Sequence, residues 1–150
     1  MKIITPKERA FEFRPYAEMW QSLENTSEVG LSETDRTPVF AFEDYFYKEY
    51  SGSIDFEASL AQFIDLYIDN RQSIITETKK AVDPLIEHNH DFGRKEMNYI
   101  NYYVEISNLN SYEFKIHFVF MHGYVYYEVS YRFLSPENYL ITKIERILTN

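Results

Sequence analysis

The side chains of this 150-residue chain best suited to chemistry are its histidines and the carboxylates beside them. Glu87-His88-Asn89-His90-Asp91 offers two imidazoles and several oxygens in five consecutive positions. Zinc sites usually draw their ligands from two or more elements, and no second strong ligand set stands out in the sequence. The segment therefore reads as a polar helix end, and no metal is assigned. His117 and Glu128 are the second candidate pair, because a carboxylate holding an imidazole orients it and raises its basicity, as a general base requires. The alternation around them puts both on the outward face of a hairpin, where a cross-strand pair serves the sheet rather than a reaction.

Other chemistries are closed by composition. There are no cysteines, so thiolate ligands, cysteine nucleophiles and disulfides are all excluded. Four glycines, none in a phosphate-loop pattern, and the lack of a nucleophile elbow or an HExxH motif leave no recognised catalytic frame. No catalytic residue and no cofactor are assigned, and a binding protein is expected before an enzyme.

Charge points to the kind of partner. Of a net charge of −9, nearly all lies between Glu28 and Asp69. Ten acids (Glu28, Glu33, Asp35, Glu43, Asp44, Glu49, Asp55, Glu57, Asp65 and Asp69) stand there against Arg36 and Lys48, which leaves −8. A nucleic-acid binder would show a basic stripe, so direct nucleic-acid binding is not expected. Within this region "FEDYFYKEY", Phe42 to Tyr50, interleaves acids with rings. Aromatic residues supply interface hot spots and acids steer a basic protein partner. The candidate contact residues are Glu43, Asp44, Tyr45, Tyr47, Glu49, Tyr50, Asp55 and Glu57, with Tyr124 and Tyr126 at the tip of the hairpin.

The expected function is that of a small acidic cytoplasmic protein which neutralises or inhibits a basic partner, of the immunity-protein, antitoxin or nucleic-acid-mimic type. The alternative is a small-molecule binder or enzyme with a Tyr-rich pocket between helices and a curved sheet, since fourteen tyrosines exceed what a dry core accommodates without partners for their hydroxyls. Self-association as a homodimer is left open. The N-terminus has no apolar signal region, and no run approaches the ~20 apolar residues of a membrane span, so a cytoplasmic protein without membrane contact is expected.

The elements that must position these residues are read from period and punctuation. Thr5-Pro6, Thr37-Pro38 and Ser135-Pro136 each resemble a helix start, with a hydroxyl cap followed by proline, and Glu8 completes a capping box at the first. The first helix would meet Pro15, which breaks or kinks it. Asn25 to Thr37 reads as an exposed loop. Residues 38–50 fit a helix ending at Gly52 or a strand, with the helix favoured. Phe56, Leu60, Phe63, Ile64 and Tyr67 form a helical stripe. It resumes at Ile74 after a break at Asp69-Asn70, and Asp83-Pro84 restarts a short turn that Gly93 closes.

From residue 97 the period becomes two. Even positions from Tyr112 to Phe120 and odd positions from Val125 to Phe133 are apolar, so a two-residue turn at His122-Gly123 places Phe118 opposite Tyr127 and His117 opposite Glu128. A three-residue loop at Asn108-Leu109-Asn110 would set Val104 opposite Phe114. Leu140, Ile141, Ile144, Ile147 and Leu148 lie on one helical stripe, so residues 137–148 are expected to be a C-terminal helix, with a fourth strand as the alternative. The expected fold is a single α+β domain over residues 1–150: an antiparallel meander of three or four strands (about 97–134) packed against N-terminal helices.

Overall fold

The computed structural model describes residues 1–23, 40–88, 99–120 and 125–148. Its strands are β1 (Lys2–Ile4), β2 (Ala10–Arg14), β3 (Met19–Ser22), β4 (Ala41–Glu43), β5 (Tyr99–Asn108), β6 (Glu113–Phe120), β7 (Val125–Ser135) and β8 (Asn138–Leu148). Helix α1 (Tyr47–Tyr50) is one turn, whereas α2 (Ile54–His88) runs for 35 residues, roughly 50 Å. All eight strands form one sheet in sequence order. Neighbours are antiparallel except β4 and β5, which are parallel and joined through α2. The chain is mostly sheet with one long helix, which overturns the expected meander of three or four strands packed on N-terminal helices.

The first expected helix is a hairpin because its capping residues close a turn instead. Thr5 N–H donates to the Arg9 carbonyl at 2.8 Å, and Thr5 Oγ1 accepts from Arg9 N–H at 3.1 Å. Glu8 takes a left-handed φ of 63°, which a helix would not permit. The same hydroxyl chemistry serves caps and turns. Period two in Ile3, Phe11 and Phe13 then puts all three side chains in the core. Residues 38–50, expected as a helix, divide between both readings: Phe42 is buried in β4, and the helix is confined to α1.

Helix α2 covers one face of the sheet with Leu60, Phe63, Ile64, Tyr67, Ile74 and Val82, all buried. Phe63 and Tyr67 meet Phe42 and Phe114 edge-on at 5.3 to 5.9 Å. The expected break at Asn70 does not occur. Its Nδ2 donates to the Leu66 carbonyl one turn back and to the Pro136 carbonyl in the β7–β8 turn, both at 2.9 Å, so the polar side chain fastens helix to sheet. Nor does the helix restart at Pro84, which lies inside α2 near its end.

The expected C-terminal helix is strand β8. Ser130 pairs with Lys143 but Tyr131 pairs with Ile141, so Thr142 is an extra residue in β8. A bulge changes parity, and it brings Tyr139 and Ile141 on one side of Thr142, and Ile144 on the other, to the same core-facing side. Pairing of β6 with β7 follows the expected register from Val119–Tyr126 to Glu113–Arg132. Pairing of β5 with β6 is displaced by two residues, with Val104 opposite Ile116 and Ile106 opposite Phe114, because the turn extends through Tyr112 at φ 51°. The Asn25–Thr37 loop, Asn89-His90-Asp91, Gly93 and the His122-Gly123 turn lie outside the described residues.

Candidate functional site

The face of the sheet away from α2 carries polar residues, and the corner formed in mid-sheet where the end of β4 meets β5 gathers acids from distant parts of the chain. In the parallel pairing of β4 with β5, Glu43 stands directly beside Glu105. Glu105 is followed across the sheet by Lys115, and His117 by Glu128 and then Glu145. Glu18 arrives from the β2–β3 turn, where it takes a φ of 50°, and its carbonyl accepts from Asp44 N–H at 2.8 Å. That bond locks the turn against the end of β4.

Tyr45 lies among these acids. Its hydroxyl donates to Glu43 Oε2 at 2.9 Å, and its residue is 50% exposed. Burial first, then the bond to Glu43 and the charges of Glu43, Glu105 and Glu18 push the hydroxyl up to about 12. Phe46 beside it is 44% exposed, unusual for a large apolar ring. Among the described residues no lysine or arginine forms an ion pair with Glu18, Glu43, Glu49, Asp55 or Glu57. Opposed glutamates such as Glu43 and Glu105 repel in a sheet, so the corner favours a cation beside it.

His117 sits at the inner margin of the corner. Its Nε2 is 2.8 Å from Glu105 Oε2, and its Nδ1 is 3.4 Å from Glu128 Oε2. Glu128 is also paired with Lys115 at 3.1 Å, and that bond, outweighing burial, raises the lysine together with the charges of Glu128, Glu105 and Glu145. Donor atoms of Glu43, Glu105 and His117 lie within 4.8 Å of one another. One imidazole and two carboxylates are a donor set compatible with a divalent cation.

Of the residues expected to contact a partner, Glu43 and Tyr45 lie at the corner, Glu49 is exposed in α1, and Asp55 and Glu57 lie in the first turn of α2. Asp44 and Tyr50 are buried. Asp44, 1% exposed, accepts from Trp20 Nε1 at 2.9 Å and from Phe46 N–H at 3.2 Å, so it anchors the turn that presents Tyr45. Burial pushes its carboxyl up, against the opposing effect of those two bonds. Tyr47 is half-buried and stacks on Phe13 at 3.7 Å. Tyr124 lies outside the described residues, and Tyr126 is placed only by its register opposite Val119 and Ile147.

The chain matches no family model, no curated protein and no solved structure.

Glu18 and Glu105 are absent from the sequence-derived set. They stand 25 residues before and 62 residues after Glu43, and only the β3–β4 and β4–β5 pairings bring them to it. Reading residues 38–50 as a helix removed the strand that makes both pairings. No described helix is long and apolar enough to cross a membrane.

Proposed function

We propose that this chain is an acidic binding protein that docks on, and neutralises or inhibits, a basic protein partner, as immunity proteins and antitoxins do. One observation carries the reading: Tyr45 is an exposed ring set among Glu43, Glu18 and Glu105, which lack a lysine or arginine ion-pair partner among the described residues, and Phe46, the next residue, is also exposed. A half-exposed ring flanked by carboxylates is the composition of an interface anchor that takes a cationic surface. The stabilities of the turns beneath it, through Asp44 and Glu18, keep the rings presented before a partner arrives, which limits the ordering cost of association.

The test is capture of a basic protein from the source cells by the full chain, followed by association kinetics of the isolated pair. Capture should fall at least about tenfold for Tyr45→Ala with Phe46→Ala, and association should slow as salt rises. Equal capture by the double variant, or an association rate indifferent to salt, sinks the proposal.

A further inference from the structure

Three neighbouring strands bring three metal-ligating side chains together on the sheet face away from α2. Glu43 of β4 pairs with Glu105 of β5, and His117 of β6 stands opposite Tyr103, two residues along the same face from Glu105. One carboxylate oxygen of each glutamate and one ring nitrogen of His117 lie within 4.8 Å of one another. Ligand atoms held at about 2.0 to 2.2 Å from a single ion are themselves roughly 3 Å apart, so rotations of side chains on fixed strands close the set. All three residues are partly exposed, with the His117 side chain at 15% and that of Glu105 at 20%. An ion can therefore reach the donors, and water can complete its shell.

The groups behind the donors are placed as the outer shell of a metal site is. His117 Nδ1 is 3.4 Å from Glu128 Oε2, and a carboxylate on one ring nitrogen leaves the other to face a metal. That other nitrogen, Nε2, is the one directed to Glu105, 2.8 Å from its Oε2. The Tyr45 hydroxyl donates to Glu43 Oε2 and so orients that carboxylate. Lys115, the cation opposite Glu105 in the sheet, turns its ammonium to Glu128 at 3.1 Å.

The donor types select the ion. Magnesium and calcium take oxygen ligands, whereas an imidazole nitrogen beside carboxylates suits zinc and its first-row neighbours. We infer that Glu43, Glu105 and His117 together bind one divalent transition-metal ion of the zinc class, with water in the remaining coordination positions. Its two charges also offset the repulsion between glutamates paired directly across β4 and β5.

Calorimetric titration of the full chain with Zn²⁺, and separately with Mg²⁺, tests this. Zinc should bind saturably at one ion per chain, and magnesium at least about a hundredfold more weakly. Co²⁺ in place of zinc should give visible ligand-field bands that His117→Ala abolishes. Glu43→Gln should weaken zinc binding at least about tenfold, yet leave the melting temperature of the metal-free chain unchanged, which a merely structural residue would lower. The chain with both His88→Ala and His90→Ala, which lacks the other close pair of histidines in the sequence, should bind zinc as the native chain does. No saturable zinc binding, magnesium bound as tightly as zinc, unweakened binding in Glu43→Gln or His117→Ala, or loss of the ion in the His88 and His90 variant each overturns the inference. The site shares Glu43 with the docking corner but does not rest on docking. The ions are titrated with no partner present, so absent zinc binding leaves capture of a basic protein standing, and failed capture leaves the zinc result standing.

Discussion

Two clusters of carboxylates draw on the same acidic stretch of sequence, one through Asp65 and Asp69 and the other through Glu43, and meet opposite fates. At the middle of α2, Asp65 and Asp69 are clamped by the β1–β2 turn. Arg9 spans both, with Nη1 2.9 Å from Asp65 and Nη2 3.0 Å from Asp69, while Lys7 bonds Asp65 through its backbone N–H and Asp69 through its ammonium group. At the corner where β4 meets β5, Glu43 and Glu105 stand side by side with Glu18 near them, and among the described residues only Tyr45, a neutral donor, bonds Glu43. Position in a charge run therefore does not tell which acids fold the chain and which remain for a partner. That is decided by the β1–β2 turn, which folds its two bases over the helix, and by the parallel β4–β5 pairing, which sets Glu43 beside Glu105 with His117 as the basic partner of Glu105.

Asp44 gives the sharpest way to break the contrast, since it lies at the acidic corner yet belongs with the acids used in folding. Asp44→Ala strands Trp20 Nε1 in the core and removes the acceptor for Phe46 N–H, and should cost about 3 kcal/mol of stability in urea unfolding. Asp44→Asn keeps only one of the two acceptor oxygens, so either the bond from Trp20 Nε1 or that from Phe46 N–H is lost, and its cost should be intermediate, about 1 to 2 kcal/mol. An asparagine variant as damaged as the alanine one would show that both oxygens are needed to hold the turn.

Some of this was legible in the sequence and some was not, for reasons that lie in particular residues. The β6–β7 register was legible because period-two alternation on both sides of one turn leaves a single pairing that keeps Phe114, Ile116, Val129 and Tyr131 on one face. The stripe from Leu60 to Val82 was legible as helix, although Asn70 suggested a break that its bonds to Leu66 and Pro136 prevent. Strand β8 was hidden by the bulge at Thr142, which spaces Ile141 and Ile144 three apart, as a helix would. The short N-terminal strands were hidden because Thr-Pro signals a cap without saying whether a helix or a turn follows. At the candidate site, Glu43 and Tyr45 were legible from local composition. Glu105 and Glu18 were not, since they reach Glu43 and Tyr45 only through strand pairings distant in sequence.

A second pair of substitutions compares the clusters directly. Arg9→Ala leaves Asp65, nearly buried, without its guanidinium partner and should destabilise by about 2 kcal/mol, discounted from a fully buried pair because Arg9 is partly solvated. Glu43→Gln removes one of two opposed carboxylates and should change stability by less than about 0.5 kcal/mol, in the stabilising direction. Equal losses in the two variants would erase the distinction between a neutralised and an unneutralised cluster.

The smallest effect separates the clusters by pH, each at its own end of the scale. Burial alone would raise the Asp69 carboxyl, but the bonds and charges of Lys7 and Arg9 prevail and hold it below its ordinary value of 3.8. A carboxyl lowered on folding contributes stability that is present above its unfolded value and is lost as pH falls through the folded one. The stability difference between the native chain and Asp69→Asn should thus be constant near neutrality and shrink below about pH 4. At the corner the sign reverses. The Tyr45 hydroxyl is raised to about 12 from an ordinary value of 10.0, so its contribution is complete below pH 10.0 and is lost as pH rises through about 12. Tyr45→Phe should behave as the native chain does in acid and lose less stability in alkali. If urea midpoints show Asp69→Asn indifferent to acid, the clamp does not hold its charge as the geometry implies; if Tyr45→Phe loses as much as the native chain in alkali, the acids around that ring do not act on it.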